Sequence, residues 1–338
     1  MGIELREALL NSKEKAALGL IEKMDTRSAL NDFIYAAAHS TDPQSIVLVD
    51  SVREALDYFE KNERLALLNY CASHLARTEK RDWDWPQPKY KRDALKAYLT
   101  AIRARRGDDA RALAPEVVKH VGLNTLAETW LNLASEDPGA NGATFVAASA
   151  CRRSLFFIDE STRERLLDWA TDFLTSRVPK SKVSAGTASD YEELANDAEL
   201  MKRVCANAGE ACANIVFLHR IKQNKNAMGH AHVLHLVRLL EKTVGGVVPS
   251  KTEPVKGATL DILGKALESG SLEAAIAAVA ALAESEIDGV CKKILAFASK
   301  NKDPKTFIAA HAACEVSRTM VEPELPLVKA VSYLLSKS

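Results

Sequence analysis

The chain has 338 residues, 47% of them apolar and 27% charged, the balance of soluble globular proteins rather than of disordered or membrane chains. Lys plus Arg and Asp plus Glu both number 45, so no global field draws nucleic acid or anionic lipid. Its six cysteines, at 71, 151, 205, 212, 291 and 314, lack the CxxC pairs of a zinc or redox motif and are too sparse for a disulfide scaffold. They read as reduced, mostly buried thiols.

The amino-terminal stretch MGIELREALLNSKEK carries charge within its first residues and lacks the apolar core of a signal peptide, so a cytoplasmic location is expected. From there on, apolar residues recur three and four apart, and no alternating β-branched run exceeds about five residues. The prediction is an all-α protein of stacked antiparallel helix pairs, an irregular helical repeat or multi-helical bundle. Helices are predicted over 3–23, 27–38, 44–59, 62–77, 90–105, 109–120, 124–134, 143–155 and 161–175. They continue over 190–222, 229–243, 258–268, 272–283, 286–299, 304–319 and 324–336. In segment 258–299 each helix is expected to be capped by a serine or an acidic residue. AAIAAVAALA, 274–283, is too short to cross a bilayer and reads as a buried helix.

Three stretches rich in Pro, Gly and Ser interrupt the pattern, at 80–90, 177–190 and 245–257. The second precedes the longest predicted helix, which favours an N-terminal domain over 1–180 and a C-terminal one over 181–338. A split near 250, or one continuous array, is the alternative. Within the first stretch, DWDW (82–85) reads as a groove lining or an anchor for a long connection. AIRARRGDDAR (101–111) reads as a solvated, charged helix end.

LASEDPGANGATFVAASACRRS (133–154) resembles ASKNKDPKTFIAAHAACEVSR (298–318), with AHSTDPQSIVLVDSVREAL (38–56) a fainter third copy. In each, proline stands near a first helical turn. The comparison sets Ser149 opposite His311.

Three of eight histidines fall in NAMGHAHVLHLVRLLEK, 226–242. At about 100° per residue, His230 lies roughly 60° from the apolar seam of Val233, Leu236, Val237 and Leu240. His232 lies at its other flank and His235 in solvent, so the three cannot share one ion. His311 stands on the face of Phe307 and Cys314, and His74 on that of Leu67, Tyr70 and Cys71. His39 and His120 sit at helix C-termini, where the helix dipole and Glu116 respectively explain them. Cys205, Cys212 and His219 share one face of the long predicted helix. Seven residues span about 10.5 Å, so a packed seam is expected there rather than a metal site.

At FIYAAAH (33–39), MGHAHVLHLVRLLEK (228–242) and TFIAAHAACEVSR (306–318) the chain resembles a helical domain that follows a Rieske-type ferredoxin domain in some bacterial proteins. HLVRLLE (235–241) is also similar to a segment of questin-oxidase-like helical proteins. The resemblance implies an association with redox chemistry and the placement of His39, His230 and His311. The paired Cys and His ligands of a Rieske cluster are missing, so electron transfer would need a separate redox partner or an external cofactor.

Two functions follow as expectations. The first is a cleft holding His230, His311, His74 and His39 that binds a small molecule, with a link to redox chemistry. The second is a helical-repeat scaffold for protein–protein interaction, without catalysis. No particular cofactor is indicated, and no metal site, nucleic-acid partner or membrane partner is expected.

Overall fold

The computed structural model describes residues 2–81, 93–178, 198–244, 254 and 256–337. Among them every regular element is helical, and the one β-contact is an isolated bridge between Ser40 and Lys80. The first ten helices are α1 (Gly2–Leu10), α2 (Glu14–Ile21), α3 (Thr26–Ala37), α4 (Gln44–Ala55), α5 (Arg64–Arg77), α6 (Ala94–Arg103), α7 (Gly107–Val121), α8 (Leu123–Glu136), α9 (Ala143–Ser154) and α10 (Glu160–Arg177). Eight more follow: α11 (Ala198–Ala206), α12 (Ala213–Asn224), α13 (His230–Val244), α14 (Leu260–Glu268), α15 (Leu272–Leu282), α16 (Ile287–Ala298), α17 (Pro304–Ser317) and α18 (Glu324–Leu335). None of the described helices is long and apolar enough to cross a membrane. The DWDW motif lies outside the described residues.

Two predicted helices are broken, each by backbone in the left-handed region. Ser12, at φ 57°, ends α1 and separates it from α2 where one helix over 3–23 was expected. Between α11 and α12 stand Gly209 (φ 72°, ψ −176°), Ala211 (φ 53°) and Cys212 (φ 51°). A β-carbon is tolerated there only at a cost, and Gly209 occupies the corner that only glycine adopts freely. Asn214 Nδ2 donates to the Asn207 carbonyl across the break, at 2.6 Å. The apolar periodicity on both sides is helical, so it concealed the interruption.

The residues fall into two units, the first comprising Met1–Asp50, Cys71–Ala188 and Asn224–Leu236, the second Ser51–Tyr70, Ser189–Gln223 and Val237–Ser338. Residues 51–70 belong to the second unit and 224–236 to the first. The chain therefore changes unit inside α4, α5, α12 and α13.

In the first unit α10 packs against α3, α6, α7, α8 and α9. Its interior holds a chain of polar groups: Trp130 Nε1 donates to Tyr98 Oη at 2.9 Å, and Tyr98 Oη meets Thr171 Oγ1 at 3.0 Å. The segment 101–111, read as solvated, is drawn partly inward. Arg103 grips Glu136 with two bonds of 2.8 Å, and Arg111 is buried beside Asp108.

In the second unit α17 packs against α16 and α18, and α18 against α11, α15 and α16. Helix α15 buries one stripe only, Ala275, Ala278, Val279 and Leu282, rather than its whole surface. Caps differ from expectation as well. Thr259 accepts from Ile262 N at 3.3 Å, whereas Ser271 and Glu286 make no side-chain cap bond. On α17 the cap is Asp303, which accepts from Lys305 N with Pro304 in the first turn. That fixes where α17 starts and hence where His311 points. All six cysteines are buried free thiols, as expected.

Candidate metal centre

Helix α17 is buried almost all round, because its run of alanines lets neighbouring helices approach closely. His311 is the one ionisable imidazole in that run and is 0% exposed. Neither of its ring nitrogens has a hydrogen-bond partner. Burial is the main cause of its low pKa, pushed down to about 4, and the nearby Glu54 charge only partly opposes it. At neutral pH the ring is uncharged and keeps a lone pair for an electrophile.

Two further side chains converge on it within the second unit. His219, on α12, meets His311 edge to face, with ring centroids 5.5 Å apart and planes at 86°. Glu54, in the last turn of α4, places Oε2 3.9 Å from Nε2 of His219 and 3.9 Å from Nε2 of His311. One donor atom from each of the three lies within 4.8 Å of the other two. Around a tetrahedral ion with bonds of about 2.0–2.1 Å, donors stand roughly 3.4 Å apart. The two carboxylate–imidazole distances of 3.9 Å therefore need to close by about half an ångström, and the widest separation in the set by no more than about 1.4 Å.

The carboxylate is held from behind. Gln223, one turn after His219, donates from Nε2 to both Glu54 oxygens, at 2.9 and 3.1 Å. Arg220 donates from Nη1 to Gln223 Oε1 at 2.9 Å and from Nη2 to Ser51 Oγ at 3.3 Å. Its Nη1 also lies 3.7 Å from Glu54 Oε2. One turn beyond His311, Glu315 accepts from Tyr58 Oη at 2.8 Å and faces Arg318, which in turn binds Asp288. Burial, followed by the neighbouring Cys314 and Cys291, raises the Tyr58 phenol well above its usual range. Tyr58 is therefore a hydrogen-bond donor at all ordinary pH.

Two imidazoles and one carboxylate form a donor set suited to zinc or non-haem iron, with positions left over for water or a small molecule. The orphaned ring of His311 is the observation that fits an ion. An unsatisfied buried polar group costs about 1–3 kcal/mol, which coordination would offset.

Of the four histidines nominated from sequence, His311 belongs to this cluster. His39 lies in the first unit, its Nδ1 2.9 Å from the Tyr35 carbonyl one turn back and its ring against Tyr35. His74, also there and partly buried, faces Thr78 Oγ1 at 3.4 Å. His230 opens α13 in the first unit, and its side chain lies outside the described residues. His232 Nδ1 meets Ser135 Oγ at 2.6 Å. His235, expected in solvent, is partly buried, and His120 pairs with Glu116 at 3.3 Å as its spacing suggested.

Sequence reasoning missed Glu54 and His219. His219 was read on one continuous helix with Cys205, but the break at 207–212 places the two on separate helices. The structure shows a relation that the sequence reading did not draw. Asn141 and Ala211 share φ 53° and ψ 30°, and Thr144 N bonds the Pro138 carbonyl as Asn214 N bonds that of Ala208. Matching those two turns sets His219 opposite Ser149, the position that the Asp-Pro copies give to His311. The third copy, matched at Asp42 and Asp303, sets Glu54 opposite Glu315. Comparison with protein-family models, curated proteins and solved structures found no match.

Proposed function

We propose that the protein is a metalloprotein whose second unit holds one divalent transition-metal ion between Glu54, His219 and His311, and that a small molecule is bound at this ion. The observation that carries the reading is His311, an imidazole of zero exposure whose two nitrogens lack partners while its Nε2 faces a carboxylate and a second imidazole. The Glu54 side chain is 16% exposed and gives the ion a way in from solvent. Bound there, zinc would supply Lewis acidity and iron would add redox capability, the chemistry that the resemblance to Rieske-associated domains implies. Six reduced thiols suit a cytoplasmic protein.

The test is metal titration of chelator-treated protein with zinc, iron(II) and cobalt(II) by calorimetry. The expected result is one ion per chain. Glu54→Gln, His219→Ala and His311→Ala should each weaken binding at least about tenfold, with far-ultraviolet circular dichroism unchanged. If none of the three metals binds, the cluster is a structural network and the scaffold function replaces this one.

A further inference from the structure

The turn between α11 and α12 carries a side chain that its backbone does not favour. Its counterpart at 138–144 has the same geometry: Gly139 (φ 74°, ψ 174°) matches Gly209 (φ 72°, ψ −176°). Gly142 N donates to the Gly139 carbonyl as Cys212 N donates to that of Gly209. Gly142, at φ 74°, therefore stands where Cys212 stands at φ 51°. Glycine accepts that region freely, and a cysteine only at a cost. Cys212 is nonetheless buried, in a turn that packs against α17 and α18. On one continuous helix it would stand about 10.5 Å from Cys205, and the break removes that constraint. What surrounds these thiols is soft. Cys205 Sγ, buried on α11, contacts Met320 Sδ at 3.8 Å, and Met320, between α17 and α18, is partly exposed. Burial pushes the Cys205 thiol up to about 12, and the neighbouring Cys212 adds to the rise. Lys329, on α18, sets its positive charge near both thiols.

We propose that Cys205, Cys212 and Met320 form a binding site for one soft monovalent cation of the copper(I) class, separate from the cluster at His311 and independent of the reading given to it. With metal–sulfur bonds of about 2.3 Å, three sulfurs in a plane around an ion stand roughly 4.0 Å apart. The 3.8 Å between Cys205 and Met320 matches that spacing. Structural zinc takes four donors from thiolate, imidazole and carboxylate, whereas two thiolates with a thioether suit copper(I). On binding, each thiol gives its proton to solvent and its sulfur lone pair to the ion, with no change of oxidation state. Two thiolates and one monovalent ion leave a single negative charge, which Lys329 balances. Met320, unbranched and partly exposed, receives the ion from solvent and passes it to the buried thiols. This role accounts for a cysteine held at a glycine's position in the turn.

The experiment uses the full chain, reduced and stripped of metal, titrated anaerobically with copper(I) against the competing chelator bicinchoninate. The expected result is one ion per chain retained by the protein, with X-ray absorption showing only sulfur in its first shell. Two variants locate it. Cys212→Gly restores the residue that the turn's backbone favours, and Met320→Leu keeps an apolar side chain of similar size, so both should fold by far-ultraviolet circular dichroism. Cys212→Gly should weaken copper(I) binding at least about 100-fold and Met320→Leu about tenfold, losses that match or exceed those of removing a ligand's supporting group. If Cys212→Gly does not fold, Met320→Leu and the first shell of the parent protein decide. Loss of all copper to the chelator, nitrogen or oxygen in the first shell, or unchanged affinity in either folded variant overturns the proposal. None of these outcomes bears on the centre at His311, which is tested separately with zinc, iron(II) and cobalt(II).

Discussion

Gln223 Nε2 donates to both carboxylate oxygens of Glu54, at 2.9 and 3.1 Å, and so fixes the plane in which Oε2 faces His219 and His311. Gln223 touches no donor nitrogen in the cluster, which makes it a positioning residue. Gln223→Leu should lower metal affinity by about 10- to 100-fold, the usual effect of losing a ligand's supporting hydrogen bond. Calorimetric titration of the folded variant checks this, and unchanged affinity would show that Arg220 and Ser51 suffice to hold the carboxylate.

The low pKa of His311, about 4, makes the metal-free protein acid-sensitive. Between that value and an unfolded value of about 6.5 the unfolded chain binds a proton that the folded one does not. Its contribution is therefore complete above pH 6.5 and is lost as pH falls toward 4. The size is on the order of 3 kcal/mol. Denaturant unfolding of the parent and of His311→Gln from pH 4 to 7 should show the variant lacking that part of the slope.

In the first unit Arg6 binds Asp32 and Asp159, each at 2.7 Å, and Asp32 is 2% exposed. Burial raises the Asp32 pKa despite the arginine, while hydrogen bonds from Thr162, Arg6 and Asn31 outweigh desolvation at Asp159 and hold it well below the usual range. Arg6→Met leaves a buried carboxylate without its cation and should cost about 3–5 kcal/mol. Adding Asp32→Asn should recover part of that loss in a double-mutant cycle; strict additivity would mean the pair is not coupled.

Ala211 carries a β-carbon at φ 53°, and Gly209 stands at φ 72° and ψ −176°. Ala211→Gly should be neutral or stabilise by up to about 1 kcal/mol, since relief of strain competes with the flexibility glycine adds to the unfolded chain. Gly209→Ala should destabilise by about 1–3 kcal/mol. Because this turn sets the start of α12, it should also weaken metal binding through His219. Thermal unfolding and titration of both variants decide the matter.

Tyr98 Oη links Trp130 and Thr171 in a fully buried chain. Tyr98→Phe strands the indole N–H and should cost about 1–3 kcal/mol. A smaller loss in chemical denaturation would mean that water or a rotated Thr171 replaces the hydroxyl.

The sequence by itself determined the helical class, the burial of the cysteines and the inward face of His311. All three follow from the 3.6-residue recurrence of apolar side chains, which each helix must satisfy locally to bury one face. The two broken helices were not legible, because apolar spacing continues across Ser12 and across Gly209 to Cys212 while the backbone there turns left-handed. Only the tertiary structure decided the site. Glu54, His219 and His311 lie on three helices far apart in the chain, and a helical wheel reports which way a residue points but not what another helix brings to meet it. His219 became a partner of His311 once the break before α12 freed it from the face of Cys205. Glu54, by its spacing an unremarked polar residue near a helix end, gained its place because Gln223 and Arg220 turn its carboxylate toward the two rings.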